Sequence, residues 1–210
     1  YSKPMTFPDT PFKDAAGFVD AYASAVSDAL ASIDRTQFTA AAMLLAAAYD
    51  AGRTVYVCGN GGAAAIANHL HCDHLKGIQT DTDVKPRVVS LVSGMETITA
   101  IANDISYADV FVYQLRTLAD ADDVLITVSS SGDSENVVRA VAWAKDNGIK
   151  VLALTGFSGG RSASMADVNV HVVGDNYGVI EDAHQSIMHM LAQSLRMQKM
   201  TPETIRDRKF

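Results

Sequence analysis

Cysteine is scarce in this sequence, with only Cys58 and Cys72 in 210 residues. One falls in a strand-like run and the other in a helix-like one, so no disulfide framework is expected. Positive charge is the minority sign, with 17 Lys and Arg against 24 Asp and Glu, a net charge of −7 and a pI near 5.2. That balance argues against general affinity for nucleic acid or an anionic membrane surface. An anionic ligand would have to be held by a local field, from backbone N–H groups or a metal ion. No apolar run approaches the roughly 18 uninterrupted residues of a membrane span. The opening residues, YSKPMTFPDTPF, carry no basic-then-apolar leader pattern, and a cytoplasmic location is the resulting expectation.

What is present is the composition of a globular chain, 48% hydrophobic and 20% charged. Length, and the lack of any repeat, low-complexity run or linker, predict one domain over 1–210, with a helical part at 1–52 and an α/β core at 53–200. Residues 1–10 hold two of the five prolines and read as an irregular lead-in. From Phe12 to Ile33, the residues Phe18, Val19, Tyr22, Val26, Leu30 and Ile33 recur at helical spacing. Asp34 is placed to cap a second helix over Thr36–Tyr49, closed by Gly52. Both helices are expected to serve packing and contact between copies.

From Thr54 onward, short apolar runs alternate with helical ones. Strands are predicted at Thr54–Cys58, Arg87–Leu91, Asp123–Ser129, Lys150–Thr155 and Val168–Val173. Helices are predicted at Ala63–Leu75, Glu96–Ala102, Tyr107–Leu118, Ser134–Asn147 and Val179–Met200. This alternation predicts an α/β fold, a doubly wound five-stranded parallel sheet flanked by helices. Ligands of such sheets bind beyond the C-terminal ends of the strands, near a switch in strand order. The loops 59–62, 129–134 and 156–160 fit that location.

Val55–Gly77 carries the densest chemistry. A strand, the turn Gly59-Asn60-Gly61-Gly62 and an Ala-rich helix follow one another, which gathers backbone N–H groups and the positive end of a helix dipole at one point. His69 and Asp73 are four apart on that helix and share a face, a spacing suited to one metal ion. Ser129-Ser130-Ser131-Gly132-Asp133-Ser134 also joins a strand to a helix. Its hydroxyls and N–H groups suit a phosphate monoester; equally, Ser134 fits as a plain cap and the other serines as turn formers. No G-K-[ST] is present, so this is not a P-loop, and G-N-G-G-A-A lacks the third spaced glycine of a dinucleotide site.

On the last helix Glu181 and His189 lie about 80° apart at roughly 100° per residue, with Gln185 between them. Joined to His69 and Asp73 they make a His/Asp/Glu/His set suited to Zn2+ or a similar divalent ion. Taken singly, His189 also fits a core histidine and Glu181 a solvated first-turn charge. His71 and His74 fit surface or supporting positions, and Asp133 and Glu135 fit capping and solvated ones.

In order over about 130 residues stand Gly59–Gly62, His69 with Asp73, the T-A-I-x-N-D run Thr99–Asp104, the S-x-S-G-D-S-x-N run Ser129–Asn136, Leu154–Gly160, and Glu181 with His189. Together these motifs resemble the SIS (sugar isomerase) domain family, and within it the phosphoheptose isomerase branch. The resemblance implies a homotetramer with active sites at subunit interfaces and a phosphorylated sugar as substrate. It implies interconversion of sedoheptulose 7-phosphate and D-glycero-D-manno-heptose 7-phosphate. It assigns the phosphate to Ser129, Ser130, Ser131 and Ser134, and sugar contacts to Asn60, Gly61, Gly62, Asn103 and Asp104. It assigns zinc to His69, Asp73, Glu181 and His189, and the acid–base pair to Asp73 and His189. The expected reaction runs through an enediol, with metal assistance.

The chain departs from the family pattern at four places. Ala63 replaces a serine, Asp73 a glutamate and Glu181 a glutamine, and Ser93-Gly94 replaces Asp-Asn. Losing polar pocket groups changes which hydroxyls are bound, since an unpaired buried polar group costs about 1–3 kcal/mol. A divergent isomerase of another phosphosugar, a non-catalytic SIS module that binds a protein, and a phosphosugar-sensing domain are the alternatives.

Overall fold

Local signals set the ends of the first two helices, α1 (Ala15–Ala31) and α2 (Arg35–Asp50). The Asp14 carboxylate accepts from the Gly17 N–H at 2.7 Å, and that of Asp34 from the Thr36 N–H at 2.7 Å, each satisfying an orphan donor of the first turn. Gly52, at φ +66°, ends α2 in the left-handed region that glycine enters without strain. The computed structural model describes residues 6–210, so the lead-in expected at 1–10 lies partly outside the described residues.

Five strands follow: β1 (Thr54–Gly59), β2 (Arg87–Ser90), β3 (Val124–Ser129), β4 (Lys150–Thr155) and β5 (Val168–His171). All pair in parallel, in the order β2-β1-β3-β4-β5. Parallel neighbours need crossovers, and helices supply them. These are α3 (Gly62–Cys72), α4 (Met95–Asp104), α5 (Val112–Leu118), α6 (Glu135–Asp146) and α7 (Gly160–Met165), followed by α8 (Tyr177–Met197) and α9 (Pro202–Asp207).

The period-2 alternation of the strands sorts the core into two layers. Val55, Val57, Ile126, Val128, Leu152 and Leu154 pack with α1, α2, α3 and α8. Tyr56, Cys58, Leu125 and Val151 pack on the other face with Ile101, Leu115, Val137 and Val141. The sheet is therefore doubly wound, as the alternation predicts. The chain leaves β1 toward β2 on one side and returns to β3 on the other. That reversal opens a crevice at the C-terminal ends of β1 and β3.

Several expected elements differ in detail. Tyr107–Leu118 is not one helix: Tyr107–Asp109 is a 3-10 turn and α5 begins at Val112. The Ser106 hydroxyl donates to the Asp109 carboxylate at 2.6 Å, a local bond that competes with helix continuation. The last strand stops at His171 rather than Val173, and α3 runs on through a π-helical turn, Asp73–Ile78, rather than ending at Leu75. The six-residue helices α7 and α9 lack the length for a legible apolar period. Among the described residues no helix is long and apolar enough to cross a membrane.

Candidate active site

The crevice is bordered by the loops that leave β1 and β3, whose ends pair at Gly59 and Val128. The Ser129 hydroxyl accepts from the Gly132 N–H at 3.1 Å and that of Ser131 from the Asp133 N–H at 3.3 Å, so both shape the turn. Ser134 occupies the N-cap of the 12-residue α6, yet its side chain makes no capping hydrogen bond. Its hydroxyl is not spent on the helix.

The 156–160 loop braces this turn from beneath. The Gly156 N–H donates to the Ser130 carbonyl at 2.9 Å, and the Ser162 N–H to the Gly132 carbonyl at 2.9 Å. The two backbones approach so closely that a Cβ at Gly132 (φ +65°) would lie 2.0 Å from the Gly159 carbonyl oxygen. Asp133 would repel a phosphate here, but Arg161 bonds it at 2.5 Å and holds its carboxyl below the usual range. Glu135 bridges Arg139 and Arg161 at 3.0 and 3.1 Å and is lowered by the same two guanidiniums.

The second group lies where α3 faces α8. Ala63, Ile66, Ala67 and Leu70 turn the buried face of α3 to the core, which leaves His69 and Asp73 outward. The Asp73 carboxylate stands 3.4 Å from His69 Nε2 and 3.5 Å from His189 Nε2. Those separations exceed a good hydrogen bond, about 2.7–3.2 Å. One donor atom from each of the three lies within 4.8 Å of the others, and the donor set, two imidazoles and a carboxylate, fits zinc or a similar ion.

The next residue, His74, is fully buried, and its Nδ1 lies 2.6 Å from the Tyr49 hydroxyl. Burial pushes its pKa down to about 3, so the ring is neutral. This is a core histidine, not the surface or supporting one that its position suggested. Its anchorage fixes the rotation of the helix and so the outward aim of Asp73.

Glu181 does not join His69, Asp73 and His189 in that group. Its carboxylate lies against Gly62, where a Cβ would come 2.2 Å from Oε2. Burial and then the neighbouring Asp182 raise its pKa. Gln185, one turn further along α8, stands with the imidazoles instead, its Nε2 at 3.0 Å from His69 Nδ1 and 3.4 Å from His189 Nε2. Asn103 and Asp104 are exposed at the end of α4 and bond each other at 2.8 Å. From this part of the chain it is Tyr107 that reaches the crevice, donating to Asn60 Oδ1 at 2.8 Å. Asn60 also exchanges a reciprocal pair of hydrogen bonds with Asn136, both 2.9 Å. Asn136, Tyr107 and Gln185 had no role assigned from sequence; only Asn136 stood inside a quoted motif. A cavity of about 600 Å³ opens beside Asp73, lined farther out by Lys76, Thr80, Arg196 and Arg208.

Comparison with known proteins adds to this geometry. The SIS domain model matches residues 20–156. A phosphoheptose isomerase of Colwellia psychrerythraea is 36% identical over 156 residues, covering 73% of this chain and 79% of that protein. One of Alkalilimnicola ehrlichii is 38% identical over 151 residues, covering 70% and 76%. Among solved structures, a phosphoheptose isomerase from Neisseria gonorrhoeae superposes with a TM-score of 0.79 at 30% identity, covering 87% of this chain and 96% of that one. One from Francisella tularensis superposes with a TM-score of 0.80 at 30% identity and the same coverage.

Proposed function

The chain belongs to the SIS domain family, and from that premise we propose that it is a phosphosugar aldose–ketose isomerase whose substrate pair is sedoheptulose 7-phosphate and D-glycero-D-manno-heptose 7-phosphate. The observation that carries this reading is the pairing of β1 with β3. It sets a hydroxyl-lined turn at the start of α6 beside the turn that opens α3, and α3 carries His69 and Asp73 to face His189 on α8.

In this reading Ser129, Ser130, Ser131 and Ser134 with the loop N–H groups hold the phosphate, which supplies binding energy remote from the reacting carbons. Asn60, Gly61 and Gly62 line the sugar chain, with Asn103 and Asp104 at the rim. Asp73 removes the proton from the carbon beside the carbonyl, leaving an enediolate, the anion of the enediol, and passes that proton back through His189 at the end of the turnover. His189 protonates the neighbouring carbon, while the hydroxyl proton passes from one oxygen to the other, so that aldose and ketose differ only in where two hydrogens sit. His69, Asp73 and His189 would hold a divalent ion, zinc by donor type; Glu181, expected as a fourth ligand, lies against Gly62 instead. When bound, the ion would supply Lewis-acid polarisation of the carbonyl and hydroxyl oxygens. The Gln185 amide stands 3.0 Å from His69 Nδ1; with its carbonyl oxygen turned to that nitrogen it would accept from Nδ1–H and leave Nε2 free to hold the ion. A homotetramer with its sites at subunit interfaces, in the cytoplasm, belongs to the same proposal.

A related phosphosugar as substrate is the second reading, and one contact favours it. The Ser93 hydroxyl donates to the Ser90 carbonyl at 2.9 Å, and Gly94 has no side chain, so the two offer a ligand no side-chain donor at the place of the family's Asp-Asn pair. Both readings are tested by NMR of the protein with pentose, hexose and heptose phosphates in D2O, with and without zinc. Conversion with solvent deuterium appearing at C1 or C2 is expected, and His189→Ala should abolish it with the fold intact. No conversion of any phosphosugar, or a near wild-type rate in that variant, refutes the assignment.

A further inference from the structure

The cavity of about 600 Å³ beside Asp73 is walled on one side by α8, through Ala192, Gln193 and Arg196. Four cations line it, Lys76, Arg196, Arg208 and Lys209, against the carboxylates of Asp73 and Asp81. This excess of positive charge stands in a chain whose net charge is −7. The lysines in ion pairs among the described residues are Lys145, Lys150 and Lys199. Lys76 and Lys209 are exposed and outside those pairs, so both can meet a ligand.

Arg196 is the fixed member of the group. It is 8% exposed. Its Nε donates to the Thr80 carbonyl at 3.0 Å and its Nη2 to the Asp81 carboxylate at 2.9 Å. The Phe210 ring centre lies 4.8 Å from Cζ and covers one face of the guanidinium. Those three contacts set its orientation. A guanidinium has five N–H groups, so three stay without a partner among the described residues. Buried donors are nearly always paired, so three uncommitted ones beside a cavity point to a ligand. Asp81 also takes Arg208 Nε at 3.2 Å, which lets two guanidiniums stand together instead of repelling each other apart. It does so from φ +61°, a left-handed conformation that the two pairings help to hold.

We propose that this cavity is an anion site in addition to the serine turn, and that it takes the phosphoryl group of a small organic phosphate among Arg196, Arg208, Lys76 and Lys209. A guanidinium fork matches phosphate oxygens, and four cations exceed what one carboxylate needs. The volume is that of a small-molecule site, larger than inorganic phosphate fills. The rest of the ligand lies along α8 toward Asp73. His189 and Arg196 are seven residues apart on that helix, about 10 Å along its axis. The serine turn contributes nothing here, so the site stands or falls apart from the isomerase reading.

The test follows backbone amide resonances of the full chain during titration with inorganic phosphate and with sorbitol 6-phosphate, which has no carbonyl and cannot be isomerised. Thr80, Asp81 and Gln193 report the cavity. Their resonances should shift and saturate with both probes, at a lower concentration for sorbitol 6-phosphate. Lys76→Gln combined with Lys209→Gln should raise the Kd read there about tenfold, since two ion-pair contacts are lost. Both lysines are exposed, so the fold is not at stake. Ser131→Ala combined with Ser134→Ala should leave that Kd unchanged. No saturation at these three residues, a Kd indifferent to the lysines, one that follows the serines, or inorganic phosphate binding as tightly as the sugar phosphate overturns the inference. A wild type that isomerises no phosphosugar defeats the isomerase reading and leaves this site standing.

Discussion

The brace between the 129–134 and 156–160 loops allows a sharp test with paired glycine variants. Gly52 and Gly132 have nearly the same positive φ, +66° and +65°. Alanine at either should therefore incur the same left-handed backbone penalty, about 1–2 kcal/mol. Their surroundings differ. Nothing lies within 4 Å of a Cβ at Gly52, whereas one at Gly132 meets the Gly159 carbonyl oxygen at 2.0 Å and its carbon at 2.7 Å. Backbone cannot rotate aside as a side chain does, so the two loops must part by roughly 1.4 Å to reach an ordinary contact. That strains the Gly156–Ser130 and Ser162–Gly132 hydrogen bonds, each 2.9 Å and each contributing about 1 kcal/mol. Gly132→Ala should then destabilise by about 3–4 kcal/mol and Gly52→Ala by about 1–2. For a chain of this size each kcal/mol lowers Tm by about 2–4 °C, so losses of about 10 °C and 5 °C are expected in calorimetry. The displaced serine turn should also raise KM for the phosphosugar about tenfold in Gly132→Ala but not in Gly52→Ala. Equal Tm losses, or an unchanged KM in Gly132→Ala, would refute the idea that the second loop holds the first in place.

Chelation should lower both activity and Tm of the wild type, and zinc should restore them; His69→Ala should show neither response, as followed by metal analysis and calorimetry. His184 is buried on α8 with Nε2 at 3.1 Å from the Thr155 carbonyl, and burial pushes its pKa down from 6.5 to about 4. The unfolded chain then binds the proton more readily, so this contribution is complete above pH 6.5 and is lost as pH falls toward 4. His184 should contribute a loss of about 2 kcal/mol by pH 5, and the buried His74 a similar one, so in urea titrations His184→Gln should remove about half of the fall; a slope unchanged in the variant would contradict the assignment. Tyr49→Phe removes the one partner of His74, whose Nε2 already has none. A loss of about 1–3 kcal/mol is expected, read as a fall in the urea midpoint, and an unchanged midpoint would show that the bond contributes nothing.

Local spacing carried much of this molecule. The alternation of short β-branched runs with capped helices determined a doubly wound parallel sheet, because each helix cap and each period is settled within a few residues. His69 and Asp73 were legible for the same reason: four residues on a helix fix a shared face. Ser134 was legible as a helix start, but whether its hydroxyl served the cap or a ligand was not.

Contacts across long stretches of chain were decided only in three dimensions. The strand order β2-β1-β3-β4-β5 put the serine turn beside the glycine turn. Packing of α3 on α8 chose Gln185, 116 residues from His69, as the neighbour of the imidazoles, and left Glu181 against Gly62. Asn60 meets Tyr107 and Asn136 at separations of 47 and 76 residues. No periodicity reports such meetings, because they depend on where whole elements dock. Docking is set by the summed burial of many apolar side chains, and no motif of a few residues encodes that sum.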